Sequence, residues 1–132
     1  MKSLQDIYDA LRPRGFRMTR VRTAILQFLI DQHCALSVQD IVGLLAKQDL
    51  KPDASTLYRE LQFLSEQGIA QEIIFKDGIM RYELKEGGHH HHLICNSCDT
   101  VEAVEMDKHL EDFERMIQGQ KRFRVQSHSL EF

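Results

Sequence analysis

Hydrophobic side chains recur at helical spacing four times in the first half of the chain. A spacing of i, i+3, i+4 and i+7 places such side chains on one face of a helix. The four stripes are Leu4, Ile7, Tyr8 and Leu11; Val21, Ala24, Ile25, Phe28 and Leu29; Val38, Ile41, Val42 and Leu45; and Leu57, Leu61 and Leu64. Residues suited to capping a helix precede three of them, namely Thr19, Ser37 and Asp53. The pattern predicts four short helices.

The hydrophobic period changes from helix-like to strand-like after Gly68. Residues 71–75 and 79–84 are strand-like runs on either side of Lys76-Asp77-Gly78. An Asp-Gly pair between two such runs is a strong signal for a β-hairpin. Helices followed by a two-stranded hairpin describe a winged helix-turn-helix domain, which we assign to residues 1–84.

A polar, glycine-containing segment, residues 85–88, predicts a hinge between two domains. Beyond it, residues 92–95 and 100–104 are expected to pair as a second hairpin. Leu110, Phe113 and Ile117 mark an amphipathic helix closed by Gly119, and residues 123–132 are expected to form a last strand. The predicted fold class is α+β, with a small second domain over residues 89–132. A unit of that size commonly needs a metal or a partner subunit for stability.

The composition and the length of the apolar runs indicate a globular protein. The chain has 132 residues, of which 42% are hydrophobic and 28% charged, as in globular proteins and unlike disordered tracts. Its apolar runs are far shorter than the roughly 20 residues that span a membrane. Residues 1–6 lack the charged-then-apolar pattern of a signal peptide. These features predict a cytoplasmic protein with no membrane partner.

Basic and polar residues of the first domain predict nucleic-acid binding. Five arginines occur within eleven residues and no acid lies among them: Arg12, Arg14, Arg17, Arg20 and Arg22. Opposite its leucines, the fourth helix carries Ser55, Thr56, Arg59 and Gln62. A bare run of charge is usually a solvated surface, but this combination suits phosphate contacts plus base reading in a major groove. Tyr58 lies beside the leucine stripe, where it either packs in the core or contacts DNA.

Four consecutive histidines, His89, His90, His91 and His92, predict metal binding. Successive side chains of an extended segment point to opposite faces, so His89 and His91 face one way and His90 and His92 the other. One segment can therefore serve two metal sites. Imidazole binds zinc, iron, nickel and copper, and further ligands must complete each site. The candidates for these ligands are Glu83, Glu111 and His128.

The three cysteines are too few and too unevenly placed for a disulfide framework. Cys95 and Cys98 have the C-x-x-C spacing of a zinc knuckle, although the chain has no second pair. A thioredoxin-type redox role would need this motif at the start of a helix, whereas here it joins two predicted strands. Cys34 is interpreted as a small buried hydrophobic residue.

Four motifs, in this order and spacing, resemble the ferric uptake regulator superfamily over nearly the whole chain. They are Gly15-Phe16-Arg17-Met18-Thr19, Ser55-Thr56-Leu57-Tyr58-Arg59, Tyr82-Glu83-Leu84 and the histidine run with Leu93, Ile94, Cys95 and Cys98. The resemblance implies a homodimeric, metal-dependent transcriptional repressor with an N-terminal winged helix and a C-terminal dimerisation domain. A dimer that places two fourth helices in successive major grooves is expected to bind an inverted repeat in double-stranded DNA.

Residue roles follow from the resemblance position by position. Arg17, Tyr58 and Arg59 resemble the family's DNA-contacting residues, and Arg20, Arg22, Ser55 and Thr56 join them from the surrounding pattern. Glu83, His90 and His92 resemble a regulatory metal site at the hinge. His89, His91, Glu111 and His128 resemble a second metal site within the dimerisation domain.

The chain departs from the family pattern in two places. The regulatory site usually takes a histidine where this chain has Ala35, which leaves His33 or Cys34 as alternatives for the fourth ligand. The structural zinc site usually adds cysteines beyond the last strand, whereas this sequence ends at Phe132. Either the chain is truncated, or Cys95 and Cys98 bind zinc weakly or not at all.

Several metals and functions stay open at this point. Glu83 favours Fe²⁺ or Mn²⁺ at the regulatory site, whereas the histidine run and residues 101–105 resemble the zinc-sensing branch. The peroxide-sensing branch, which detects through histidine-bound iron, is a third possibility. The leading function is a repressor, not an enzyme, that senses ferrous iron or zinc. The alternatives are a metal-buffering or delivery protein and a zinc hydrolase, for which no His-Glu-x-x-His motif is present.

Overall fold

The computed structural model describes residues 3–32, 35–85, 91–98, 100–126, 128, 130 and 132. The chain divides into two compact units, Met1–Glu86 and Gly87–Phe132. The first contains α1 (Leu4–Leu11), α2 (Arg20–Asp31), β1 (Leu36–Ser37), α3 (Val38–Ala46), α4 (Ala54–Glu66), β2 (Ala70–Ile74) and β3 (Met80–Leu84). The second contains β4 (His91–Ile94), β5 (Val101–Val104) and α5 (Asp107–Lys121). The fold class is α+β, as predicted. The hinge at 85–88 stays a prediction, because residues 86–88 lie outside the described residues.

Side-chain caps start the helices of the first unit where the sequence predicted them. Thr19 accepts a hydrogen bond from the backbone N–H three residues later at 3.1 Å. Ser37 and Asp40 form a capping box, with reciprocal bonds of 3.0 and 3.1 Å. The Asp53 carboxylate accepts from the Thr56 N–H at 2.8 Å, and this bond lowers the pKa of Asp53. Each cap satisfies an N–H that has no partner within its helix, so it fixes where the helix begins.

The hydrophobic stripes of the four helices meet in one core. Among the described residues, the largest fully buried side chains are Ile7, Leu11, Ile25, Leu26, Ile41, Leu45, Leu57, Leu61 and Leu64. Tyr82 and Leu84 of β3 pack against them. Burying an apolar side chain of this size stabilises a protein by about 1.5–3 kcal/mol. The leucine side of α4 is therefore fixed inward, and its opposite side is directed to solvent.

A three-stranded antiparallel sheet, in the order β1-β3-β2, completes the first unit. The predicted hairpin is confirmed, with Gln71 opposite Glu83 and Ile74 opposite Met80. At its turn, Gly78 has a φ of 78°, in the left-handed region that favours glycine. The strand β1 was not predicted, because two residues are too short to show an alternating pattern. It pairs Leu36 with Tyr82.

The second unit contains an antiparallel pair of strands and one long helix. In the strand pair, His91 lies opposite Val104 and Ile94 opposite Val101. The predicted end of the helix at Gly119 is wrong, because α5 continues to Lys121 and leaves the helical conformation at Arg122, whose φ is 55°. Within the described part of the chain, no helix is both long and apolar enough to cross a membrane.

The last segment, as the described residues after α5 are called here, pairs with β4 at Phe132. No strand forms over residues 122–126, so that part of the predicted strand is wrong. Phe132 donates its N–H to the His92 carbonyl at 3.1 Å and accepts from the Ile94 N–H at 2.7 Å. This is the bonding pattern of a parallel pair. The segment is thereby tied to β4.

Candidate nucleic-acid interface and metal centre

The solvent-facing side of α4 carries polar and aromatic side chains. Ser55, Arg59 and Gln62 are exposed, and Tyr58 is 56% exposed. Of the two alternatives for Tyr58, packing in the core is therefore wrong, and contact with DNA stays a prediction. Arg59 makes only a long bond of 3.4 Å from Nε to the Ser55 carbonyl. A guanidinium this exposed can reach outward to phosphate or guanine oxygens.

The clustered arginines differ in their contacts with the rest of the protein. Arg17 and Arg20 are exposed at the start of α2. Arg14, also exposed, donates to the Gln67 side chain at 2.9 Å. Arg12 lies 5.9 Å from the centre of the Tyr8 ring. Arg17 and Arg20 are therefore placed where they could contact a phosphate backbone.

Arg22 is held inside the protein by several contacts. Its Nε and one terminal nitrogen donate to the two carboxylate oxygens of Glu60 at 2.9 and 3.0 Å. The other terminal nitrogen donates to the Arg17 carbonyl at 2.6 Å. The guanidinium also stacks on Phe63, 4.1 Å from the ring centre. These contacts tie α2 to α4, so Arg22 helps to hold α4 in place.

We expect Arg22→Ala to lower the free energy of unfolding by about 2–4 kcal/mol, because Glu60 would keep a partly buried charge without its bidentate partner. The control is Arg20→Ala, which removes an exposed guanidinium from the same helix and should change stability by no more than about 0.5 kcal/mol. Urea unfolding of both variants measures the difference. Equal unfolding midpoints would contradict a structural role for Arg22.

A second arginine–carboxylate pair shapes the wing, the hairpin of β2 and β3. Arg81 donates to both carboxylate oxygens of Asp77, at 3.1 and 2.8 Å, and stacks 4.8 Å from the centre of the Phe75 ring. The Asp77 carboxylate also accepts from the Ile79 N–H at 2.9 Å. The bonds from Arg81 are the main cause that lowers the pKa of Asp77. The turn of the wing is thus fixed by side chains.

Two histidines of the second unit converge through their Nε2 atoms. His91 on β4 and His128 in the last segment have Nε2 atoms 3.2 Å apart, and their ring centres are 5.1 Å apart. His91 Nδ1 lies 3.2 Å from the Leu130 carbonyl oxygen, which can only accept, so this Nδ1 is the donor. His128 Nδ1 lies 2.5 Å from a carboxylate oxygen of Glu114. Both rings are therefore held at Nδ1 and turned toward each other at Nε2.

This arrangement fits a divalent metal. Two nitrogens that each lie about 2.0–2.1 Å from a tetrahedral zinc ion are roughly 3.3 Å from one another. The observed Nε2–Nε2 distance of 3.2 Å matches that separation. Among the residues that the structure describes, no group of three or more His, Cys, Asp and Glu side chains has the geometry of a metal site. The pair alone is thus too small for a complete ligand set, and its role as metal ligands stays a prediction. His89, predicted on the same face as His91, lies outside the described residues.

Comparison with known proteins places these features in one family. Residues 13–132 match the sequence model of the Ferric uptake regulator family. The chain belongs to this family. It is 32% identical over 133 residues to the ferric uptake regulation protein of Bacillus subtilis (strain 168), covering 98% of this chain and 89% of that protein. It is also 28% identical over 128 residues to the peroxide-responsive repressor PerR of Staphylococcus aureus (strain Mu50), covering 97% and 85%.

Solved structures of the ferric uptake regulator family share the fold. The Vibrio cholerae ferric uptake regulator matches with a TM-score of 0.78 and 27% identity, covering 96% of this chain and 97% of that chain. A zinc-bound manganese uptake regulator matches with a TM-score of 0.81 and 31% identity, covering 99% and 96%. The resemblance drawn from the motifs is confirmed, as is the winged-helix architecture. The protein is a metal-responsive, DNA-binding transcriptional regulator of metal homeostasis.

The structure describes only some of the residues predicted for the regulatory metal site. Glu83 on β3 is buried and accepts from Gln71 Nε2 at 2.6 Å. His92 on β4 is buried in the second unit. The remaining members of the regulatory set, His90 and the alternatives His33 and Cys34, lie outside the described residues. The regulatory ligand set therefore stays a prediction.

The cysteine pair and Glu111 lie on the surface of the second unit. Cys95 and Cys98 are exposed on either side of the β4–β5 turn, and Cys98 Sγ lies 3.0 Å from the Thr100 hydroxyl. Glu111 is 63% exposed and lies 4.0 Å from Arg115 on the same helix. The carboxylate that contacts His128 is instead that of Glu114, three residues further along α5.

Two functional contacts were missed from the sequence, those of Glu60 and Glu114. Glu60 stands among the polar residues of α4, and no local pattern links it to Arg22, which lies 38 residues earlier. Glu111 and Glu114 are three positions apart on α5, a spacing at which two side chains are neighbours on one face of a helix. Helical spacing alone does not distinguish which of the two contacts a histidine.

Proposed function

We propose that the protein is a homodimeric repressor that binds an inverted repeat in DNA when its metal sites are filled. The observation that carries this proposal is the convergence of His91 and His128 at Nε2, with Nδ1 of each ring held by a neighbouring group. A ligand pair held in this way needs little rearrangement to bind a metal ion at Nε2. In this proposal, the metal ion is the effector that controls DNA binding.

DNA contact is assigned to the solvent side of α4 and the start of α2. Arg59 and Tyr58 would read base edges or phosphates from the major groove, with Ser55 and Thr56 at the first turn of the helix. Arg17 and Arg20 would contact phosphates. We leave Arg22 out of the interface, because its guanidinium is engaged by Glu60.

The dimer is assigned to the second unit. Phe113, Met116 and Ile117 of α5 are 59%, 49% and 43% exposed, so this helix presents three large apolar side chains to solvent. Contiguous exposed apolar surface marks an interaction site. A second copy of the chain would cover this surface and place two α4 helices on one duplex.

Two kinds of metal site are assigned. His91 and His128, with His89 and either Glu111 or a further carboxylate, would hold Zn²⁺. Glu83, His90 and His92 would form a regulatory site for Fe²⁺ or Mn²⁺, since the carboxylate favours these harder ions. Support comes from the Nε2 geometry for the first site and from the names of the relatives, an iron regulator and a zinc-bound manganese regulator.

The protein is proposed to act in the cytoplasm, where chromosomal DNA is, and not as an enzyme. A metal-buffering or delivery protein would use the histidines but would have no use for the exposed Arg59 and Tyr58. Zinc hydrolysis would require a water-binding metal site with a general base beside it, whereas the carboxylate of Glu114 bonds to His128 Nδ1, on the ring edge away from His91.

Selection of duplexes from a random library tests the proposal and identifies the operator in the same experiment. Full-length protein with Mn²⁺ or Zn²⁺ should enrich inverted repeats, and binding to the enriched duplex should weaken steeply as salt concentration rises. A shuffled duplex of the same composition is the control. Failure to enrich any sequence, or enrichment of single half-sites by a monomer, would contradict the proposed mode of binding.

A further inference from the structure

One carboxylate of the second unit bonds to the ring edge of His128 that faces away from His91. The Glu114 Oε1 atom lies 2.5 Å from His128 Nδ1, and both side chains are 28% exposed. A carboxylate accepts a hydrogen bond, so Nδ1 carries the proton. In a neutral imidazole the other nitrogen, Nε2, then has the lone pair that binds metal.

His91 is held in the same tautomer by a different group. The Leu130 carbonyl accepts from its Nδ1 at 3.2 Å. A backbone carbonyl is neutral, whereas Glu114 brings a carboxylate to His128. A hydrogen bond to an ionised acceptor is stronger than one to a neutral acceptor, and it increases the basicity of the ring as a ligand.

Glu114 lies outside the immediate metal position. The two nitrogens of an imidazole ring point in diverging directions, so a group bonded at Nδ1 is on the far side of the ring from Nε2. The point on which His91 and His128 converge is at Nε2. Glu114 therefore contacts a ligand and not the ion.

We propose that Glu114 is a positioning residue that fixes His128 as an Nε2 metal ligand. This inference rests on the proposed metal site of His91 and His128. It assigns Glu114 a role distinct from that of Glu111, whose exposed carboxylate lies near Arg115. It also joins α5 to the last segment of the chain, so that the orientation of His128 depends on the helix.

The tautomer of His128 tests the proposal directly. Two-bond ¹H–¹⁵N correlation spectra of the metal-free, full-length protein distinguish Nδ1–H from Nε2–H in neutral histidines. Wild type should show His128 protonated at Nδ1. Glu114→Gln keeps an oxygen acceptor and should preserve this tautomer, whereas Glu114→Ala should shift His128 toward Nε2–H. An Nε2–H tautomer in wild type would overturn the proposal, even if a variant fails to fold.

Zinc affinity, measured against a competing chelator, gives the second readout. Loss of a group that orients a histidine ligand typically costs about 10–100-fold in metal affinity. We expect Glu114→Ala to fall in that range and Glu114→Gln to lose less. Asp112→Ala is the matched control, because it removes a 78% exposed carboxylate from the same helix and should leave zinc affinity unchanged.

The two readouts separate the possible failures. Unchanged zinc affinity and tautomer in Glu114→Ala would overturn the role of Glu114. If His91→Ala binds zinc as tightly as wild type, the proposed metal site itself fails. If Glu111→Ala loses zinc affinity but keeps the His128 tautomer, Glu111 is a ligand and Glu114 remains the positioning residue.

Discussion

Replacing His128 with alanine is expected to lower the affinity of the protein for zinc by more than about a hundredfold. Changing a group that only orients a histidine ligand costs about 10–100-fold, and removing the ligand itself removes a coordinate bond as well. His128 Nε2 lies 3.2 Å from His91 Nε2, a separation that suits the one metal position proposed for both rings. His109→Ala is the control, because it removes an exposed histidine from α5 of the same unit.

His128→Ala should also reduce the amount by which zinc stabilises the protein against unfolding. His91 belongs to β4 and His128 to the last segment, so a shared ion ties the two together. A ligand at about a thousand times its Kd adds roughly 4 kcal/mol to the free energy of unfolding. Thermal unfolding with and without excess zinc should show a large rise in Tm for wild type and His109→Ala, and a clearly smaller rise for His128→Ala, in which only the proposed site of Glu83, His90 and His92 remains. Equal rises in all three proteins would contradict the site.

Replacing Arg59 with alanine is expected to weaken binding to the selected duplex by about 1–3 kcal/mol, or roughly 5–150-fold. The side chain is exposed on α4, and its bond to the Ser55 carbonyl is long, at 3.4 Å. The loss should therefore appear in DNA binding and not in stability, the reverse of Arg22→Ala.

Arg59→Lys separates charge from geometry. Lysine keeps a positive charge for phosphate but lacks the planar fork that bonds two acceptors of guanine. If Arg59 reads a base, the lysine variant should lose preference between duplexes that differ at one position while retaining non-specific affinity. Fluorescence anisotropy with the selected duplex and single-position variants measures both. Full retention of preference by Arg59→Ala would remove Arg59 from the interface.

The helices were predictable because their signals are local. A capping residue such as Thr19 or Asp53 acts within three positions of itself, and a leucine stripe such as that of α4 is visible in the spacing. The wing was predictable for the same reason, since Asp77-Gly78 specifies a tight turn. The signals for these elements do not depend on the rest of the chain.

Long-range pairings were not predictable in the same way. The strand β1 exists because Leu36 pairs with Tyr82, and a two-residue strand has no pattern of its own. Arg22 was grouped with its neighbouring arginines by sequence proximity, whereas its position is set by Glu60 on another helix. The end of α5 was placed at Gly119 because glycine often follows a helix, but a glycine inside an exposed helix costs only about 1 kcal/mol.

In the candidate metal site, too, the local features were predictable from the sequence and the long-range contact was not. The histidine run indicated metal binding by composition and alternation, and the motif resemblance identified His91 and His128 as members of one site. Which carboxylate contacts His128 depends on the rotation of α5 about its axis. That rotation is not visible in the spacing of Glu111 and Glu114.

A titration of the protein with DNA, with and without metal, shows whether metal controls sequence-specific binding. The affinity of full-length protein for the selected inverted repeat is measured with Mn²⁺ or Zn²⁺ and again with chelator, both against an excess of shuffled duplex. The expected coupling is about 1–3 kcal/mol, so metal should tighten specific binding by roughly 5–150-fold and leave binding to the shuffled duplex unchanged. Equal affinity for the inverted repeat with metal and with chelator would show that metal does not control specific DNA binding.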